Sequence, residues 1–320
     1  MKKTCVTLTV AVVALSLAIP LRAYVIGMSR TTEGDIVRHR WKSTAFPITW
    51  RMNPIQGANV TGTRTQAEVF AASFAAWQSL TTASVSFKQG QVTFETARPG
   101  DDGINLLTTN TLPTDLPSGV LAITASSVYL APGFDPNSQR TIDFAGQIVE
   151  ADILFNSTVS FSTSTTSVPD RIDLQSVATH EIGHFLGLDH SPLPSATMFW
   201  SVAPGYIYPR TLSSDDIAAI SILYPTDLFA ATGKISGVVR TTANVPVYGA
   251  IVVAVNANGA PVASSVTDPD GAYVIEGLDA GLYTVYAEPL DGPITISNIS
   301  SLSRVYPGAS VNTMFTTRSR

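Results

Sequence analysis

The chain has 320 residues, of which 45% are hydrophobic and only 13% charged; at roughly 150 residues per domain this is room for about two domains. Net charge is −5, from 19 basic and 24 acidic residues with no basic cluster, so the phosphate-neutralising surface of a nucleic-acid binder is missing. The apolar share excludes a disordered chain, and the 22 Gly and 20 Pro among Thr/Ser/Val-rich stretches fit a turn-rich β protein.

Residues 1–23 read as a secretory signal peptide: Lys2 and Lys3 precede an apolar run from Val6 to Leu21, and Leu21-Arg22-Ala23 is a tolerable cleavage site. The run is short for a membrane span, so no transmembrane anchor is expected after cleavage. Cleavage also removes Cys5, the only cysteine, leaving no disulfide, thiolate ligand or cysteine nucleophile. Residues 24–38 form a short polar leader or propeptide-like segment without periodicity.

From Trp41 to Met52 the pattern predicts a strand that Pro47 confines to an edge or a strand start. Thr65 to Leu80 predicts a helix, with Val69, Phe70, Phe74 and Trp77 on one apolar stripe. Residues 84–94, 119–130 and 147–155 alternate as strands. Asp173 is a good N-cap for a helix carrying Leu174, Val177, Ala178, Ile182 and Phe185, with Gly187 as its stop. A last helix is expected over 213–223. Residues 227–233 read as a linker. Beyond it, short strands at 234–240, 247–255, 261–266, 272–276 and 282–288 suggest a small antiparallel β-sandwich over 234–290. Residues 291–320 form a tail of unassigned structure.

Three of the four histidines fall within eleven residues: His180-Glu181-Ile182-Gly183-His184-Phe185-Leu186-Gly187-Leu188-Asp189-His190. Residues four apart share a helix face, so His180 and His184 can turn one nitrogen each toward a common cation. A left-handed Gly187 can end the helix and bring His190 back as a third ligand. Three imidazoles with an open fourth position describe a catalytic zinc site, whose bound water ionises near pH 7. Glu181 stands ready as the base for that water. His39, alone before the first strand, reads as a surface residue.

The motif His180-Glu-x-x-His184-x-x-Gly187-x-x-His190, with Ser191 after it and Ala196-Thr197-Met198 downstream, resembles the metzincin signature in its matrixin-like branch. Leu212-Ser-Ser-Asp-Asp-Ile217 through Tyr224 and Gly119-Val120-Leu121-Ala122 are similar to the final helix and the cleft-bordering strand of that branch. Over residues 39–226 the resemblance implies an α+β metzincin-type catalytic domain: a twisted, mostly parallel sheet with an edge strand, packed by helices. It implies one zinc per chain on His180, His184 and His190, Glu181 as general base, and a Met-turn at Met198 beneath the metal. It also implies a substrate held along Gly119, Val120, Leu121 and Ala122, with Tyr206 on the pocket wall.

The chain departs from that pattern in places. Ile123 and Leu154 occupy positions where the branch usually has histidines for a second, structural zinc. Asn156 replaces a usual acid, and calcium is left open. Without a cysteine a thiolate cap is impossible; a carboxylate of Glu33 or Asp35 could take the fourth zinc position instead, but the favoured reading is a solvated leader with no inhibitory role. Residues 235–239, 267–273 and 277–285 resemble the carboxypeptidase regulatory-like, transthyretin-like domain. Together these readings describe a secreted, extracellular, monomeric zinc metalloendopeptidase acting on protein or peptide substrates, with an appended β-sandwich. The alternative is a secreted binding or adhesion protein with an inactive protease-like zinc domain.

Overall fold

The computed structural model describes residues 26–96, 100–136 and 138–316, with the backbone of 318–319; the segment read as a signal peptide lies outside them. The main sheet has six strands. Gln147–Phe155 is its longest, and only Val149 along it is not buried, as expected of a strand covered on both faces. It pairs in parallel with Arg40–Trp41 and Leu106–Thr108; the sheet continues in parallel through Ile48–Met52 to Phe87–Gln89. Ala122–Tyr129 pairs antiparallel with Gln147–Phe155 and forms the edge of the sheet. The mostly parallel sheet with an antiparallel edge is the architecture the resemblance implied.

Two helices cross this sheet. Helix α1, Gln66–Gln78, starts at a capping box in which Thr65 and Glu68 satisfy each other's backbone amides. Its stripe Val69, Phe70, Phe74 and Trp77 is buried, and Phe74 stacks on Trp50 at 4.7 Å between ring centres. Helix α2, Leu174–Phe185, is capped by Asp173, whose carboxylate accepts from Ser176 N at 2.8 Å and from Arg210 Nε at 2.9 Å. The Trp77 indole donates to Thr179 O at 2.9 Å and ties α1 to α2.

Several expected strands change. The strand expected over 41–52 is broken by a 3-10 turn at Ser43–Ala45, because Pro47 lacks an amide and the ladder restarts only at Ile48. Of 84–94, only Phe87–Gln89 pairs. The edge strand begins at Ala122. Gly119 (φ +85°) sits in a turn closed by Val120 N to Pro117 O at 3.2 Å, so Gly119, Val120 and Leu121 form the approach to the strand. Helix α3, Ser214–Leu223, carries a second capping box between Ser213 and Asp216.

The C-terminal strands are antiparallel throughout. Gly233–Val238 pairs with Ala272–Leu278, and Pro261–Val266, Ala250–Asn256 and Tyr283–Pro289 pair in that order. Ala250–Asn256 is buried on both faces as far as Ala254. Val252 and Ala254 belong to one apolar core with α1, α2 and α3, while Ile251 and Val253 join a second core. That second core also contains Met28, Leu193, Ala196, Ile299, Leu302 and Val305.

The ends of the chain carry structure that the sequence did not announce. Met28–Arg30 and Ile36–Arg38 form a hairpin, and the tail contains a short helix, Ser300–Val305. The two are bonded: Met28 N donates to Ser301 Oγ at 3.0 Å, and Arg30 Nη2 to Val305 O at 2.6 Å.

Helix α2 ends where it must for the histidines to meet. Gly187 has φ +100°, its amide donates to His184 O at 2.9 Å and Leu188 N donates to Gly183 O at 2.9 Å, the paired bonds of a Schellman cap. A Cβ at Gly187 would collide with the His39 carbonyl oxygen. Gly187→Ala is therefore expected to destabilise the fold by about 1–3 kcal/mol, seen as a lower thermal unfolding midpoint; an unchanged midpoint would contradict this account of the helix end.

Candidate active site

His180 and His184 stand one helical turn apart on α2, and the Gly187 reversal returns His190 to them. Ring centres lie 4.7 Å (His180–His184), 4.8 Å (His184–His190) and 5.2 Å (His180–His190) apart. Each ring spends its Nδ1 on a backbone carbonyl: His180 on Thr197 O at 2.8 Å, His184 on Leu188 O at 2.9 Å, His190 on Asn298 O at 2.5 Å. A carbonyl only accepts, so each Nδ1 carries the proton and each Nε2 keeps its lone pair.

Those lone pairs face one another. His184 Nε2 and His190 Nε2 are 3.3 Å apart. Two nitrogens bound tetrahedrally at about 2.05 Å would stand roughly 3.3 Å apart. Burial is the first cause holding all three imidazoles below their ordinary pKa, which favours the neutral form that a metal ligand requires. Among the described residues, this is the group of His, Cys, Asp or Glu side chains, three or more together, placed to share an ion. The donor set and its tautomers fit zinc.

Glu181 faces the same cleft of about 1090 Å3. The residue is 5% exposed, and its carboxylate accepts from Thr124 Oγ1 at 2.6 Å. Burial raises its pKa to about 7, partly opposed by the Thr124 bond and by His190. Met198 is buried under α2, so close that a Cβ at Gly183 would strike its sulfur.

Gly119, Val120, Leu121, Ala122 and Tyr206 all line the cleft. Tyr206 is half-exposed and packs edge-to-face on Tyr208 at 5.6 Å. Asn156 is buried and holds the rim: its Nδ2 donates to Val120 O at 2.7 Å and Pro117 O at 3.3 Å. An acid there could not donate those bonds. Ile123 and Leu154 are direct cross-strand partners.

One expectation is corrected, and one alternative is not seen. His39 is not a surface residue: it is 8% exposed, lies between the leader and the end of α2, and meets Ser29 Oγ through Nε2 at 2.8 Å. Burial pushes its pKa down to about 4, with Arg304 acting in the same direction. Glu33 and Asp35 do not cap the histidines. The turn closed by Thr31 N to Asp35 O at 2.9 Å puts both, exposed, at the hairpin tip, and neither lines the cleft.

The family model for matrixins matches residues 40–225. The chain belongs to the matrixin family. A model for the carboxypeptidase regulatory-like domain matches residues 234–292. Metalloendoproteinase 2-MMP of Arabidopsis thaliana is 30% identical over 193 residues, 58% of this chain and 43% of that protein. Metalloendoproteinase 1-MMP of the same plant is 51% identical over 57 residues, 17% of this chain and 14% of that protein. Matrilysin of Rattus norvegicus is 48% identical over 48 residues, 15% of this chain and 18% of that protein. The chain spans less than half the length of each of these relatives. Among the described residues no helix is long and apolar enough to cross a membrane.

In this matrixin several residues that shape the site went unremarked in the sequence. Thr124 lies on the same strand face as Ala122, and period-2 alternation could have found it. Asp216 is the larger omission. Beyond capping α3, it accepts from Thr197 N at 2.8 Å and Met198 N at 2.9 Å, and so holds the turn whose Thr197 carbonyl orients His180. Its place in the Ser213-x-x-Asp216 box was the available signal. Asp216→Ala would leave these buried amides without an acceptor, at about 1–3 kcal/mol each. A lower thermal midpoint together with weaker metal retention is expected, and wild-type values for both would contradict the role.

Proposed function

We propose that the protein is a secreted zinc-dependent endopeptidase that hydrolyses peptide bonds of proteins with Glu181 as general base. The observation that carries the reading is the convergence of three Nε2 lone pairs in a cleft that also holds a buried carboxylate. His180, His184 and His190 would hold the zinc ion, which supplies Lewis acidity toward water and the scissile carbonyl. Glu181 takes the proton of the attacking water and delivers it to the leaving amine. Its low exposure and raised pKa suit both transfers near neutral pH. Thr124 keeps the carboxylate aimed. Met198 fills the space beneath the helix that carries two of the ligands.

The substrate lies extended along the approach Gly119–Leu121 and the open side of Ala122–Tyr129, adding a strand to the sheet. Tyr206 borders the pocket beyond the metal. One zinc is held per chain, since Ile123 and Leu154 offer no ligand for a second. Residues 1–23 direct export and are removed. Residues 39–226 carry catalysis, and 234–290 form the sandwich.

Glu181→Gln keeps the shape of the side chain and an acceptor for Thr124 but cannot take a proton. Hydrolysis of a fluorogenic casein or gelatin should fall by about 10²–10⁴, while the variant retains one zinc per chain. Near-wild-type turnover in this variant, or chelator-resistant hydrolysis in the wild type, would overturn the reading.

A further inference from the structure

The third histidine is oriented from outside the matched peptidase region. Its Nδ1 donates to the carbonyl of Asn298, which follows both the matched region 40–225 and the regulatory-like domain at 234–292. We infer that the segment Thr295–Val305 is a positioning element of the metal site, setting zinc affinity through the Asn298 carbonyl on His190. The inference rests on the reading that the three histidines hold zinc.

That carbonyl is fixed from both sides. On one side, Asn298 closes a tight turn: its Oδ1 accepts from Thr295 N at 2.8 Å and Thr295 Oγ1 at 2.9 Å, and its backbone N–H donates to Thr295 O at 3.0 Å. On the other side, buried Asp189, the neighbour of His190, accepts from Ser300 Oγ at 3.0 Å and Ser301 N at 2.7 Å. Two successive residues of the zinc motif are thus gripped by one short segment, Asp189 through its carboxylate and His190 through its ring. Upstream, the Trp200 indole donates to Pro293 O at 2.6 Å. Downstream, Ile299, Leu302 and Val305 are buried in the core they share with Met28 and Ala196. The other two ligands take their carbonyls from residues 188 and 197 and have no such dependence.

A histidine ligand whose second nitrogen loses its acceptor can rotate and change tautomer, and such partners are typically worth 10–100-fold in metal affinity. Asn298→Ala deletes the side chain that closes the turn and leaves the carbonyl present but unanchored. Asn298→Asp keeps an Oδ acceptor for both Thr295 donors. The test measures the zinc dissociation constant of the full-length chain and these variants by competition with a chelator, together with thermal unfolding. Asn298→Ala is expected to bind zinc about 10–100-fold more weakly, and Asn298→Asp as tightly as wild type. If Asn298→Ala does not fold, Thr295→Val, which removes only the hydroxyl donor, should weaken zinc in the same direction by less. A merely structural turn would lower the unfolding midpoint and leave the affinity alone. Wild-type affinity in Asn298→Ala, or equal loss in the Ala and Asp variants, overturns the inference. A wild-type chain that takes up no zinc overturns the metal-site reading itself.

Discussion

Three backbone carbonyls, of Thr197, Leu188 and Asn298, each accept the Nδ1 proton of one histidine and so turn three Nε2 lone pairs onto one point. Much of the surrounding structure serves to place those carbonyls. The Leu188 carbonyl is where it is because Gly187 adopts φ +100° and reverses the chain after α2. The Thr197 carbonyl is held because Asp216 gathers the amides of Thr197 and Met198. The Asn298 carbonyl is held by a turn of its own and by Asp189.

Three buried aspartates therefore link the site to different parts of the molecule. Asp216 joins the turn at Met198 to α3. Asp189 joins the zinc motif to the C-terminal segment. Asp215 accepts from Ser191 Oγ at 2.5 Å and Ser264 N at 2.7 Å, coupling the residue after the third histidine to the sandwich. A buried carboxylate is costly unless its oxygens meet donors, and each of these meets several. The sandwich and the α+β region also share one apolar core through Val252, Ala254, Ile275 and Leu278.

What could be read from the sequence was what has a local signature. The apolar stripe of α1, the Asp173 cap and Gly187 stop of α2, and the histidine spacing all depend on residues within a few turns of one another. The sandwich strands were legible because turn residues separate short alternating runs. Leu106–Thr108 was not, since three residues carry no period. The leader hairpin was missed because Met28 and Ile36 find their apolar partners in the C-terminal segment, more than 250 residues away. The His190–Asn298 bond spans 108 residues, and neither partner's neighbourhood hints at the other. His39 was misread for the same reason: its burial comes from Gly27 and Gly187 folding around it. A carboxylate latch by Glu33 or Asp35 was open on chemistry alone, and the hairpin carries both to its tip, as a solvated leader requires.

The central claim is that all three histidines meet one zinc ion through Nε2, each held by a carbonyl on Nδ1. X-ray absorption at the zinc edge, joined to a crystal structure of the zinc-loaded full-length protein, tests it most directly. The account predicts three imidazole nitrogens at about 2.0–2.1 Å, all Nε2, with Asn298 O still bonded to His190. A zinc ion bound by fewer than three of these histidines, or through any Nδ1, would contradict it.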